Sequence, residues 1–190
     1  MSQENNIWNK RWTDRSYSDG WTPDSWLSKH HHRLGSGDAL DIACGRGRNA
    51  LLLAKAGYQV TAIDYSSVAL QQLDQESQKR GLEVETMLCD LEHQAKLPQK
   101  QFDLIINFYY LHRPLLPQLM QSVKPGGLAI IRTFSTAGNG EPCSLGPDMV
   151  LNPGELRSYF ENWDILVYEE GLEPSKKGGT LAGVIARKPT

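Results

Sequence analysis

Residues 39–64 read ALDIACGRGRNALLLAKAGYQVTAID. Ala39 to Ala43 is a short apolar run broken only by Asp41, the pattern of a buried strand. CGRGRN, residues 44–49, follows, and its glycines suit a tight turn with close approach of backbone to a ligand. From Asn49 the apolar spacing becomes helical and stops at Gly57, after which YQVTAID forms a second strand ending on Asp64. Strand, glycine loop, helix and strand make a βαβ unit, whose right-handed crossover leaves the two strands parallel. Ligands of such sheets sit at the carboxyl ends of the strands, so residues 44–49 are a cofactor loop by position.

The alternation continues outward from this unit. SSVALQQLDQESQKRG (66–81) opens on serines able to cap a helix and ends at Gly81, and VETML (84–88) is a third strand. FDLIINF (102–108) is a buried strand, LLPQLMQSV (115–123) a helix, and GGLAIIRTF (126–134) a fifth strand after the turn VKPGG. PGELRSYFE (153–161) starts a helix with Pro153 near its first turn, and WDILVYEE (163–170) and TLAGVIARK (180–188) are the last strands. The predicted fold is α/β: a Rossmann-like three-layer sandwich with a mostly parallel seven-stranded sheet and helices on both faces.

Composition disfavours several classes of function. A chain of 190 residues is expected to form a single domain. A formal charge of −2 lacks the basic excess of a nucleic-acid binder. The N-terminus carries no apolar leader and no segment approaches a membrane span, so a cytoplasmic location is expected. Cys44, Cys89 and Cys143 are odd in number and lack metal-type spacing, which fits reduced thiols.

Two cofactors compete for the loop. Gly45, Gly47 and Ala50 satisfy G-x-G-x-x-A, and Asp64 lies about 20 residues on, as in a dinucleotide site. Asp41 just before the loop would repel a pyrophosphate, however. With the VKPGG turn, the acid followed by G-x-G resembles class I S-adenosylmethionine (SAM) methyltransferases. WNKRW, SYSDGWTPDSWL, the 40–70 stretch, NFYYLHRPLLPQLMQSVKPGG and LNPGELRSYFENWDILVYEE together resemble the small tellurite-resistance (TehB) type. The resemblance covers nearly the whole chain.

That resemblance implies a site. Asp41 and the glycine backbone would face the methionine moiety, Asp64 the ribose hydroxyls, and Asp90 with Leu91 the adenine. Ala43, Gly45, Gly47, Arg48, Asn49, Tyr65, Ser66, Asn107 and Phe108 complete the implied cofactor-binding set. SAM offers an ammonium, a ribose diol and an adenine amine without phosphate, so carboxylates are useful acceptors there. Read without the resemblance, Asp64 could cap the next helix and Asp90 could be a turn acid.

Outside the core, Trp8, Trp12, Tyr17, Trp21 and Trp26 all precede the first strand. In relatives this segment, here residues 1–36 ahead of a core at 37–190, is a helical lid. For most of these rings ordinary packing is the favoured reading, with Tyr17 the functional exception by its match to a family tyrosine. In NFYYLHRP (107–114), Phe108 and Tyr109 replace the prolines of an N-P-P-Y motif, which argues against nucleobase methylation. His112 and Arg113 are candidates for a general base and an anion anchor, or alternatively a solvated helix start. Arg132 stands where the wider branch often has an acid. Three adjacent histidines, His30 to His32, diverge too much to share a metal, so no metal is expected. The expected function is SAM-dependent methylation of a small soft or anionic acceptor, without nucleic acid or membrane. An NAD(P)-dependent oxidoreductase and a non-catalytic SAM-binding regulator are the rivals.

Overall fold

The structure, a computed structural model, describes residues 3–14, 20–93, 96–139 and 142–190. It divides into two compact units, Met1–Pro98 and Gln99–Thr190.

In the first unit α1 (Gln3–Thr13) and α2 (Ser25–Lys29) precede β1 (Gly37–Ile42), followed by α3 (Arg48–Lys55), β2 (Tyr58–Asp64), α4 (Ser67–Lys79) and β3 (Val84–Leu88). The strands lie in the order β3-β2-β1, all parallel, with Leu40 beside Thr61 and Asp41 beside Ala62. Leu40, Ile42, Leu53, Ile63 and Leu73 are fully buried, and this core supports the loops at the strands' carboxyl ends. Asp24 caps α2, its carboxylate accepting from the Trp26 and Leu27 N–H groups.

The second unit contains β4 (Phe102–Phe108), α5 (Leu116–Gln121), β5 (Val123–Ser135), α6 (Glu155–Tyr159), β6 (Asp164–Pro174) and β7 (Thr180–Arg187). Its order is β4-β5-β7-β6, with β4 and β5 parallel and β7 antiparallel to both its neighbours. The seven strands are thus mostly parallel, as in a Rossmann-like α/β fold.

Local boundaries differ from the sequence expectation. β1 stops at Ile42 because Ala43 turns into the left-handed region at φ 53°. The helix expected at 115–123 is a 3-10 turn over Arg113–Leu115 followed by the short α5. VKPGG belongs to β5, with an irregular register against Phe102 to Leu104. α6 begins after Gly154, whose φ of 75° suits only glycine comfortably. Among the described residues, no helix is long and apolar enough to cross a membrane.

Candidate functional site

The loop after β1 is built on the loop after β2. The Cys44 N–H donates to the Ile63 carbonyl at 2.9 Å, and the Gly47 N–H returns to the Cys44 carbonyl at 2.9 Å. Gly45 has φ 56° and donates its N–H to Asp64 Oδ2 at 2.7 Å. The other oxygen, Asp64 Oδ1, accepts the Ser66 N–H at 2.8 Å. One carboxylate therefore braces both strand ends. The helix cap is Ser66, whose Oγ accepts the Ala69 N–H. Gly47 opens α3 with φ 75°, and a Cβ there would collide with the Leu73 side chain.

Asp41 is different, because its hydrogen bonding is incomplete. It is 2% exposed, it accepts the Ala50 N–H in the first turns of α3, and its Oδ2 is buried without a hydrogen-bond partner among the described residues. Burial, then the charge of Asp64, pushes its pKa up to about 8. Burial also raises Asp64, opposed by the N–H groups of Ser66, Gly45 and Tyr65. Two buried carboxylates beside these backbone turns favour a cationic and hydroxyl-bearing ligand over a phosphate.

The other implied cofactor residues do not share one role. Arg48 and Asn49 turn to the N-terminal segment: Asn49 Oδ1 accepts the Asp24 N–H at 2.9 Å, and Arg48 Nη2 lies 3.6 Å from Asp24 Oδ2. Both side chains brace Asp24. Asp90 accepts the N–H groups of Glu92 and His93, both at 3.0 Å. Burial works to raise its pKa, but the His93 and Glu92 N–H groups outweigh it and hold Asp90 below the usual carboxylate range. Its side chain is that of a turn acid. Leu91 is buried and Tyr65 half-buried beside the Asp64 turn. Burial, followed by the charges of Asp64 and Asp41, drives the Cys44 thiol well above its ordinary value, which disfavours a nucleophilic role.

In the second unit, Asn107 near the end of β4 is 1% exposed, with Oδ1 buried and without a hydrogen-bond partner among the described residues. Phe108 is buried, and Tyr109 then adopts φ 61° with its ring 5.7 Å from that of Phe134. Such a conformation in a non-glycine residue marks a constrained turn. His112 is half-buried and its imidazole makes no hydrogen bond among the described residues.

Arg113 is fully committed. Nε and Nη2 grip Glu155 Oε1 and Oε2 at 2.6 and 2.9 Å, Nη2 also reaches the Val150 carbonyl at 2.9 Å, and Nη1 reaches the carbonyls of Asp148 and Pro147 at 3.1 and 3.5 Å. All five guanidinium donors are used. The side chain organises residues 147–155. Arg132 is buried and paired with Glu173.

The structure also brings forward residues the sequence reading did not select. Asn9 on α1 reaches Ser66 and Val68, and the Trp12 ring lies so close over Gly45 that a Cβ there would meet it at 2.7 Å. Asp24, which caps α2 and holds Arg48 and Asn49, joins them. Of the N-terminal aromatics, Trp26 is buried edge-on to His30, Trp21 lies under Arg46 at 4.3 Å, and Trp8 is partly exposed beside Arg11. Tyr17 lies outside the described residues. His31 and His32 are solvated, whereas His30 is buried. Among the described residues no histidine, cysteine or carboxylate group clusters as a metal site.

Comparison with known proteins gives the family. Residues 24–181 match the model of tellurite resistance protein TehB. A probable S-adenosyl-L-methionine-dependent methyltransferase TehB of Haemophilus influenzae is 31% identical over 141 residues, 70% of this chain and 48% of that protein. A ubiquinone biosynthesis O-methyltransferase of Salmonella enteritidis is 32% identical over 52% of this chain and 43% of its own. The chain thus spans about half the length of these curated relatives. The crystal structure of TehB from Haemophilus influenzae superposes with a TM-score of 0.75 at 23% identity, over 91% of this chain and 65% of that one, which shows the shared fold. With a family match running from the cap of α2 into β7, this chain belongs to the TehB family.

Proposed function

We propose that the protein transfers the methyl group of SAM to a small, soft or anionic acceptor, such as a thiol or a chalcogen oxyanion. The observation that carries this reading is Oδ2 of Asp41, buried beside the glycine loop and without a hydrogen-bond partner among the described residues. An ammonium group satisfies that oxygen and offsets the cost of ionising the carboxyl in the interior, whereas a pyrophosphate would add repulsion. Asp64 already holds the Gly45 and Ser66 N–H groups and has lone pairs left for ribose hydroxyls. The methyltransferase names of the relatives point the same way.

SAM supplies an electrophilic methyl carbon, and the acceptor's lone pair takes that methyl as the carbon–sulfur bond breaks, leaving a neutral thioether. The protein's share is alignment and exclusion of water. Among the described residues His112 has no orienting hydrogen bond, so a nucleophile that ionises readily fits better than a hydroxyl requiring a strong base.

The decisive experiment is a thermal-shift comparison of SAM, S-adenosylhomocysteine and NADH, followed by labelled-methyl transfer to thiols, selenite and tellurite. Stabilisation by SAM and its product but not NADH, with label entering a small acceptor, is the expected result. Protection by NADH alone would restore the oxidoreductase reading. SAM binding without transfer to any acceptor would leave a SAM-binding regulator.

A further inference from the structure

We propose that Asn9 is a positioning residue that couples the docking of α1 to the turn carrying Asp64 and Ser66. The inference rests on the cofactor placement proposed above.

Helices α1 and α4 cap one another. Asn9 Oδ1 accepts the Ser66 hydroxyl at 2.7 Å and approaches the Val68 N–H at 3.4 Å, so a side chain of α1 supplements the N-terminal cap of α4. In return Gln72 Nε2 on α4 donates to the Trp12 carbonyl at 2.9 Å, in the last turn of α1. Ser66 is central to the exchange. Its hydroxyl donates to Asn9, its oxygen accepts the Ala69 N–H, and its backbone N–H donates to Asp64.

The consequence is geometric. Once Asn9 and Gln72 fix α1 along α4, the Trp12 ring comes down on Gly45, whose N–H is held by Asp64. The same turn therefore has one end at the cofactor loop and the other at the helix that covers it. An isolated helix as short as α1 is marginal in water, so its docking depends on these few contacts. Only molecules with α1 docked carry the complete site, and their fraction sets the apparent affinity.

The test uses the full chain with three variants, Asn9→Ala, Asn9→Asp and Asp64→Ala. Hydrogen exchange of α1 and calorimetric titration with SAM are read together. Asn9→Ala should speed exchange of α1 about tenfold, as for the loss of a side-chain hydrogen bond, and raise the Kd for SAM about three- to tenfold. Asn9→Asp keeps an acceptor at the N-terminus of α4 and should restore both. Faster exchange with an unchanged Kd would overturn the coupling, as would an aspartate that restores neither. An Asp64→Ala protein that is folded and binds SAM normally would instead overturn the cofactor placement itself.

Discussion

Asp41 and Arg113 are both charged residues near the carboxyl ends of strands, and the structure treats them in opposite ways. Asp41 is sealed in the first unit with one oxygen unpartnered, and its pKa is driven to about 8. Arg113, in the second unit, is more exposed yet has every donor engaged by Glu155 and three carbonyls. A buried group with an open valence is costly in the free protein and becomes favourable only when a partner arrives. A saturated group has nothing left to offer a ligand. Charge and position in the fold do not therefore distinguish the two residues; the unfilled valence does.

The largest effect that would break this comparison is on Asp41. Its native pKa of about 8 exceeds the ordinary 3.8, so between those values the folded state keeps a proton that the unfolded state has released. Its contribution to stability accordingly falls as pH rises from about 4 to about 8. Asp41→Asn should remove that slope and stabilise the ligand-free protein at pH 7 by on the order of 4 kcal/mol. Denaturant unfolding at pH 5, 7 and 8 checks this, and a wild-type slope equal to the variant's would refute it. If an ammonium is the partner, SAM binding below pH 8 should also release a proton, visible in calorimetry across buffers of different ionisation enthalpy.

Asp64 sharpens the same contrast. Asp64→Ala should weaken SAM roughly 10- to 150-fold, through loss of a charge-assisted interaction worth about 1.5–3 kcal/mol. An unchanged Kd in a folded variant would remove the residue from the cofactor site. For Arg113→Ala the expectation is reversed. It should cost about 2 kcal/mol of stability by breaking a partly buried ion pair, while SAM affinity stays the same. Arg113 holds Glu155 below the usual carboxylate range, so this contribution is present at neutral pH and fades as pH falls through the native pKa of Glu155. Full stability combined with a raised KM for an anionic acceptor would return Arg113 to the acceptor's side.

The smallest effect concerns Ala43, whose φ of 53° disfavours any residue with a Cβ. Ala43→Gly relieves that strain but loosens the unfolded chain, leaving a net gain of about 0.5 kcal/mol. A small rise in Tm would show it. A fall would mean that the Cβ contributes packing that outweighs the strain.

Local pattern determined much of this protein. Strand-length apolar runs, helical spacing and glycine punctuation are properties of neighbouring residues, so the order of strands and helices, the glycine loop and the acids at the ends of the first two strands could be read directly from residues 39–64. Boundaries were less legible. Where the chain leaves β1 depends on the left-handed turn at Ala43, and α5 is shortened by a 3-10 turn. Tertiary structure alone decided which polar groups are spent and which are open. Arg48 and Asn49 are drawn to Asp24, 25 residues before Asn49, and Arg113 to Glu155, 42 residues further on. Asn9 finds Ser66 across 57 residues. A side chain's valence is filled by whichever partner the folded chain brings within about 3 Å, and that distance is a property of the fold rather than of sequence spacing.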